Sequence, residues 1–439
     1  MTIKTPNFPQ LQVLRQLTRD GILLFTTRIA RLFAYGFLSV ILALYLVQVG
    51  LTDQQIGLLL TLTLVGDTVI SLWITTSADR IGRKRMLMAG AGLMIMAGVV
   101  FAFTGNYILL VLAATIGVIS PSGNEVGPFL SIEQSSLTQI MPDERRTQIF
   151  AWYNLVGAFA TALGAICGGS LSQVLQGAGM APLASYRVVV LGYATVGLVL
   201  AIIFTLLSPS IEVTSLPAYA KNGNPASRQG FLGLHTSGKV VFKLAALFSL
   251  DAFAGGFVVQ SLVAYWFTKR FGVDPAVLGA IFFGANILAG LSALSAAWVA
   301  SKIGLLNTMV LTHLPSNILL ILVPLMPNLP LAIAMLMLRF SISQMDVPTR
   351  QSYTMAVVSP DERSSASGIT GIARTIGASL APTLTGMLLA NPVLISVPFF
   401  ISGGLKIIYD LIIYRSFRAI KPPEEKKPVG SGPLIAGNK

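Results

Sequence analysis

The chain has 439 residues, 54% hydrophobic and only 11% charged, with a mean hydropathy of +0.75 and a net charge of +13. Ordinary soluble domains carry about 25% charged residues, so composition excludes that class. Apolar blocks of 20 or so residues suit helices crossing a hydrocarbon layer about 30 Å thick, and the fold class predicted is all-α membrane protein.

Residues 1–20 are polar and basic, and no removable signal peptide is expected; Leu11, Leu14 and Leu17 at helical spacing predict that 8–17 lies on the membrane surface. Twelve transmembrane helices are predicted at 21–50, 53–78, 84–104, 107–141, 146–175, 188–208, 240–268, 274–300, 304–327, 329–358, 364–390 and 393–414. They group as six-helix halves 21–208 and 240–414, a linker 209–239 rich in Pro, Gly, Ser and Asn, and a tail 415–439. Lys and Arg crowd one side, as in Arg80, Arg83, Lys84, Arg85, Arg145 and Arg146. The other side holds only Arg187, Lys269 and Arg270. This asymmetry predicts both termini in the cytoplasm, with a bacterial inner membrane as the setting. The basic charge is therefore read as topology, with lipid rather than nucleic acid as the partner.

The halves are related by an internal repeat. LFAYGF at 32–37 matches AFAGGF at 252–257. At an offset of 222, Gly50, Gly57, Ala78, Ile81 and Gly82 fall on Gly272, Gly279, Ala300, Ile303 and Gly304. PDERR at 142–146 matches PDERS at 360–364. Duplicated six-span units place a substrate site near midplane between the halves.

The fourth span reads SPSGNEVGPFLSIEQ in its middle. Pro121, Gly123, Gly127 and Pro128 should break its hydrogen-bond ladder, and four residues more than in the tenth span predict an unwound turn lined by Ser120, Ser122, Asn124 and Glu125. The tenth span has its own break at Met345–Pro348.

At 1.5 Å per helical residue, Arg31, Glu133, Asp251, Arg350 and Arg374 lie roughly 12–16 Å from the basic ends of their spans. Ionisable groups at that depth are candidate ligands. The predicted substrate contacts are Arg31, Tyr35, Glu133, Gln134, Arg350 and Arg374, a set suited to a small oxyanion because Arg binds carboxylate or phosphate bidentately. Glu133, then Asp346 or Asp251, are the candidates for carrying a coupling proton. The structural alternative pairs Arg31 with Asp251, Asp346 with Arg350, and Lys406 with Asp410. Arg28 is close enough to the surface to snorkel.

Between the second and third spans, TTSADRIGRKRML (75–87) resembles the cytoplasmic loop of the major facilitator superfamily, Gly-x-x-x-Asp-Arg-x-Gly-Arg-Arg/Lys. Asp79, Arg80, Gly82, Arg83 and Lys84 match, and Thr75 stands where the first glycine is usual. The resemblance implies alternating access, a gating role for Asp79, Arg80, Gly82 and Arg83, and a cavity lined by the first, fourth, seventh and tenth spans. Gating contacts would come from the second, fifth, eighth and eleventh. LGAICGG (163–169) is similar to the fifth-helix antiporter motif at Gly164, Gly168 and Gly169, but has Ala165 in place of proline.

His235 and His313 form no metal cluster, and no phosphate-binding loop occurs. The expectation is therefore a monomeric, cofactor-free, non-enzymatic carrier of a small anion, coupled to protons. A drug/proton antiporter and a non-transporting receptor or scaffold are the alternatives.

Overall fold

The computed structural model describes residues 17–125, 127–141, 146–212, 234–359 and 362–419, with backbone only at 146–148 and 364. Residues 8–16 of the expected surface segment 8–17, most of the linker, residues 142–145 and 360–361 of the repeated PDER motif, and the tail from 420 lie outside them.

The first half comprises α1 (Arg19–Ser39), α2 (Leu42–Gln48), α3 (Asp53–Ile81), α4 (Arg83–Phe103), α5 (Tyr107–Ile116), α6 (Phe129–Ile140), α7 (Arg146–Gly177) and α8 (Pro182–Thr205). The second comprises α9 (Gly238–Gly256), α10 (Gln260–Phe271), α11 (Pro275–Ile303), α12 (Leu305–Leu322), α13 (Leu329–Ser343), α14 (Asp346–Val357), α15 (Arg363–Leu389) and α16 (Val397–Phe417). Among the described residues, eleven helical spans are long and apolar enough to cross a membrane, and α5 is a shorter apolar helix.

Polar residues start these helices. Thr18 caps Gly21, Asn106 caps Ile108 and Leu109, and Thr52 forms a reciprocal capping box with Gln55. Pro182 at the first turn of α8 starts the sixth span six residues before the expected 188. Trp73, Phe103, Leu198 and Trp298 are exposed, as lipid-facing residues are.

Helix pairs within each half touch backbone to backbone at small residues. A methyl carbon at Gly164 would lie 2.0 Å from the Phe33 carbonyl oxygen, fixing α7 on α1. One at Gly377 would lie 2.3 Å from that of Ser249, fixing α15 on α9. Without a hydrophobic drive between helices in lipid, such close approach is what associates them.

The halves meet along α3–α15 and α7–α11, related by the repeat. A methyl carbon at Gly57 would lie 2.5 Å from the Pro382 oxygen, and one at Gly169 2.1 Å from that of Pro275. The interhalf hydrogen bonds among the described residues sit from the middle of the molecule to this same end, away from the basic loops. Tyr265 Oη and Lys269 Nζ donate to Asp53 at 2.6 Å each, and Thr383 donates to Thr61 at 2.8 Å. At the basic end α15 stands clear, with nothing within 4 Å of a methyl group at Gly368 or Gly371.

Four spans break near one level. The expected unwound turn of the fourth span is a full interruption between α5 and α6, with Gly123 (φ 71°) and Gly127 (φ 82°) in the left-handed region. The tenth span breaks between Ser343 and Asp346, as expected. The seventh breaks at 257–259 after Gly255–Gly256, which the sequence reading carried as one helix; its first span is likewise divided at 40–41. These breaks satisfy one another. Ser261 N donates to the Pro121 carbonyl at 3.0 Å, and Gln260 Nε2 to Ser39 Oγ at 2.9 Å. Backbone freed at helix ends inside a membrane must find such partners.

Candidate functional site

Arg31 projects from the middle of α1 and is fully buried. Its Nη1 and Nη2 donate to the two Glu133 oxygens at 2.7 and 2.8 Å, and Nε donates to Glu125 Oε1 at 2.8 Å. Glu133, on α6, also accepts from Thr27 Oγ1 at 2.8 Å and from the Tyr153 hydroxyl. Arg28 does not snorkel. It is buried, bonds Glu125 Oε2 and the Tyr153 carbonyl (3.2 Å), and stacks over the Tyr153 ring. One turn separates it from Arg31, so both reach the interrupted segment that carries Glu125. Two guanidiniums and two carboxylates close on each other. Tyr35 is buried with its ring stacked on Tyr193, and Gln134 is half-buried beside Glu133.

Asp67, on α3, was missed in the sequence. It accepts the Gly127 amide at 2.6 Å and the Ser71 hydroxyl at 3.2 Å, bracing the interrupted segment. Its signal was plain: a lone carboxylate inside an apolar span.

The second half has its own cluster. Asp251, on α9, accepts from Lys406 Nζ at 2.5 Å and Arg350 Nη1 at 2.8 Å, and His313 Nε2 lies 3.7 Å away. Arg350 Nη1 is shared with Asp346 at 3.2 Å. His313 Nδ1 is 2.8 Å from Asp410, which also accepts from Asn317 at 3.0 Å. The Asp346–Arg350 pair is thus present. The alternatives Arg31–Asp251 and Lys406–Asp410 are not, because Asp251 faces inward in its own half, where it gathers Lys406 and Arg350. His313 and Asn317 were missed because only metal binding was considered for histidine.

Arg374, on α15, lies near Arg350, Asp251 and Asp346. Among the described residues it has no hydrogen bond or ion pair, and its Nε is buried without a partner. Arg339 is half-buried over the Phe340 ring, its Nε also unpartnered. Two guanidiniums without acceptors stand beside one that shares its carboxylates.

At the basic end, Arg83 Nε donates to Asp79 at 3.0 Å and Nη1 to Gln139 at 2.8 Å, while Arg80 is exposed. Gly82 has φ 114°, and Glu212 accepts the Arg83 and Lys84 amides at 2.7 and 3.1 Å, capping α4. Thr75 bonds Ser131 of α6 at 3.1 Å, within its own half.

The matching loop, the duplicated halves and the breaks agree with a family model, Major Facilitator Superfamily, that matches residues 24–382 and 247–436. The chain belongs to the major facilitator superfamily. It is an integral, multi-pass membrane protein of a transporter family. An uncharacterised membrane protein of Saccharomyces cerevisiae is 32% identical over 434 residues, covering 93% of this chain and 96% of the relative. The expected bacterial inner membrane draws no support from that yeast match. The quinolone resistance protein NorA of Staphylococcus aureus is 26% identical over 139 residues, 32% of this chain and 34% of NorA. Among solved structures, a D-xylose-proton symporter superposes with a TM-score of 0.69 at 16% identity, covering 90% of this chain and 97% of that one. At that identity the likeness speaks for the fold.

Proposed function

We propose that this transporter works by alternating access, coupled to protons, and carries a small organic or inorganic anion as a monomer. Halves 21–208 and 240–414 would rock about the midplane, joined by the linker 209–239, with both termini cytoplasmic.

The observation that carries the anion reading is Arg374, a guanidinium beside Arg350 with no acceptor of its own. Two neighbouring guanidiniums repel, and an oxyanion between them relieves that repulsion through charge-assisted bonds. Arg31 has already committed three N–H groups to Glu133 and Glu125. In this reading it holds the first-half wall, with Tyr35 and Gln134, rather than gripping substrate alone. The proton carriers are Glu133, Asp251 and Asp346. Glu133 leads this set, followed by Asp346 or Asp251, both of which pair with Arg350. Asp79, Arg80, Gly82 and Arg83 would serve the gate at the basic end.

The test is uptake of phosphorylated, carboxylated and cationic compounds into proteoliposomes under an imposed pH gradient. Anion uptake that follows the gradient and is lost in Arg374→Gln is expected. Movement of cationic drugs without anions would overturn the anion assignment, and indifference to the gradient would overturn proton coupling.

A second reading, a drug/proton antiporter, is favoured by the likeness to NorA and by Gly164, Gly168 and Gly169 on the close-packed face of α7. The same screen separates the two. No flux of any compound would favour a receptor or scaffold.

A further inference from the structure

Asp67 stands at the middle of α3, on the side opposite the exposed Leu58, Val65, Val69 and Leu72. It is half-buried, and both of its hydrogen bonds fall on one oxygen. Oδ1 accepts the Gly127 amide at 2.6 Å and the Ser71 hydroxyl at 3.2 Å, while Oδ2 has no partner among the described residues. Oδ2 is thus free to take a hydrogen without displacing anything. Glu125 and Glu133 each meet guanidinium groups with both oxygens. Among the described residues, Asp67 is the interior carboxyl of the first half that meets no cation.

The helices around it offer no counter-charge. Glu125 lies nearby on the interrupted segment, and Tyr35 on α1 and Tyr193 on α8 are its other titratable neighbours. On α3 itself Asp53, Asp79 and Arg80 stand at the two ends. α2 and α5 carry no charged residue, and Arg83, Lys84 and Arg85 of α4 sit in its first turn at the basic end. Glu133 of α6 is held by Arg31. Of α15, Arg363 stands at the basic end and Arg374 lies with Arg350, Asp251 and Asp346. Arg28 and Arg31 are matched by Glu125 and Glu133, so an ionised Asp67 leaves the first-half interior with a surplus negative charge. Uncompensated charge in such an interior is costly. In the second half, with His313 neutral, the surplus has the other sign, since Arg339, Arg350, Arg374 and Lys406 outnumber Asp251, Asp346 and Asp410.

We propose that Asp67 takes up the coupling proton, and that this proton acts through Gly127 on the interrupted segment of the fourth span. The proton site stands on the surroundings of Asp67; its coupling to transport rests on the proton-coupled anion reading above. Glu133, Asp251 and Asp346 share their oxygens with a guanidinium and must loosen that pair to hold a proton. Asp67 has no such pair to loosen. Ionised, it holds the Gly127 amide by a charge-assisted bond; protonated, it holds that amide more weakly. The segment thereby loosened carries Glu125, which fixes Arg28 and Arg31, and the Pro121 carbonyl, which accepts Ser261 N of the second half at 3.0 Å. The proton therefore bears on a contact between the halves. It also removes the surplus negative charge of one half while an anion at Arg374 removes the surplus positive charge of the other, so each favours the binding of its partner.

Infrared difference spectra of the full-length protein in nanodiscs, recorded between alkaline and acidic pH, test the site without any substrate. The expected result is a carbonyl band of a protonated carboxyl that is lost in Asp67→Asn and shifted in Asp67→Glu. Spectra that Asp67→Asn leaves unchanged overturn the inference and leave the anion reading standing; should that variant not fold, an unshifted band in Asp67→Glu does the same. In proteoliposomes, with an anion identified by the uptake screen, Asp67→Asn should keep exchange of labelled for unlabelled anion and lose accumulation driven by the pH gradient. Asp67→Glu, which retains the carboxyl, should keep both. Accumulation that persists in Asp67→Asn, or exchange that it abolishes, overturns the coupling role and leaves Asp67 a brace for Gly127. If the wild type carries no anion, the anion reading falls and the infrared band still decides the proton site.

Discussion

The carboxylate of Asp53 and the ammonium of Lys269 lie 2.6 Å apart and tie the two halves together at the end away from the basic loops. Tyr265 donates to the same carboxylate, and Lys269 also reaches the Leu389 carbonyl at 2.9 Å. Both charged groups are partly exposed, where an ion pair contributes about 1 kcal/mol or less. Asp53→Asn should therefore shift the balance between closed and open forms of this end by up to about fivefold. The check is the labelling rate of a cysteine at Gln260 by an impermeant thiol reagent, in a Cys167→Ser background. Equal rates with and without Asp53 would mean that the latch does not hold the closure.

Backbone contact should hold it more firmly. A methyl carbon at Gly57 would lie 2.5 Å from the Pro382 oxygen, and one at Gly386 2.4 Å from that of Asp53. Both clashes are with main chain, which cannot swing aside. Gly57→Val should force α3 and α15 apart at this end with the fold retained. Spin labels on the outer ends of the two helices would report longer distances; an unshifted distribution would discount this crossing.

Glu133→Gln and Arg31→Met should each destabilise the protein by about 3–5 kcal/mol, the cost of leaving one member of a buried pair uncompensated. Their double variant should lose clearly less than the sum, since neither charge is then stranded. Thermal unfolding in detergent measures this. Simple additivity would mean that the pair observed here has no energetic coupling.

Glu362 supplies the pH prediction. It lies outside the spans and accepts the Thr236 and Ser237 amides at 2.7 and 2.8 Å, together with that of His235. Hydrogen bonding from Ser237 is the chief cause that pushes its carboxyl down to about 2 from an ordinary 4.5, against the upward push of burial. The folded value lies below the unfolded one. The stabilisation is therefore complete above about 4.5 and lost as pH falls from there through about 2. Glu362→Gln should lower the melting temperature at neutral pH and bring wild type and variant together near pH 2. A constant difference across that range would contradict the assignment.

Much of the backbone was legible in the residues. Gly50 and Gly272, Gly82 and Gly304 all have positive φ, and Gly57 and Gly279 lie at the two interhalf crossings. The repeat was visible because these positions tolerate no side chain. The interruption of the fourth span was announced by Pro121, Gly123, Gly127 and Pro128. That Arg31, Glu133, Asp251 and Arg350 would be buried was legible too, from their place within apolar helices. Partnership was not. Whether Arg31 met Asp251 or Glu133 depended on how each helix is turned about its axis, and spans that are apolar on most sides leave that angle unmarked. Arg28 was misplaced for this reason, and His313 escaped attention because its carboxylate partners, Asp410 and Asp251, lie on other helices far away in sequence.

Among the described residues, every strong ionic contact in the interior is internal to one half: Arg31 with Glu133 and Glu125, Arg350 and Lys406 with Asp251. What crosses between the halves is glycine contact, hydroxyls, amides and the rim pair Asp53–Lys269. A hinge movement can thus proceed without stripping any deep charge of its counter-ion. If the halves rock as proposed, the electrostatic energy of each lobe would travel with it, and the barrier would rest on the glycine contacts, hydroxyls and rim pair between them.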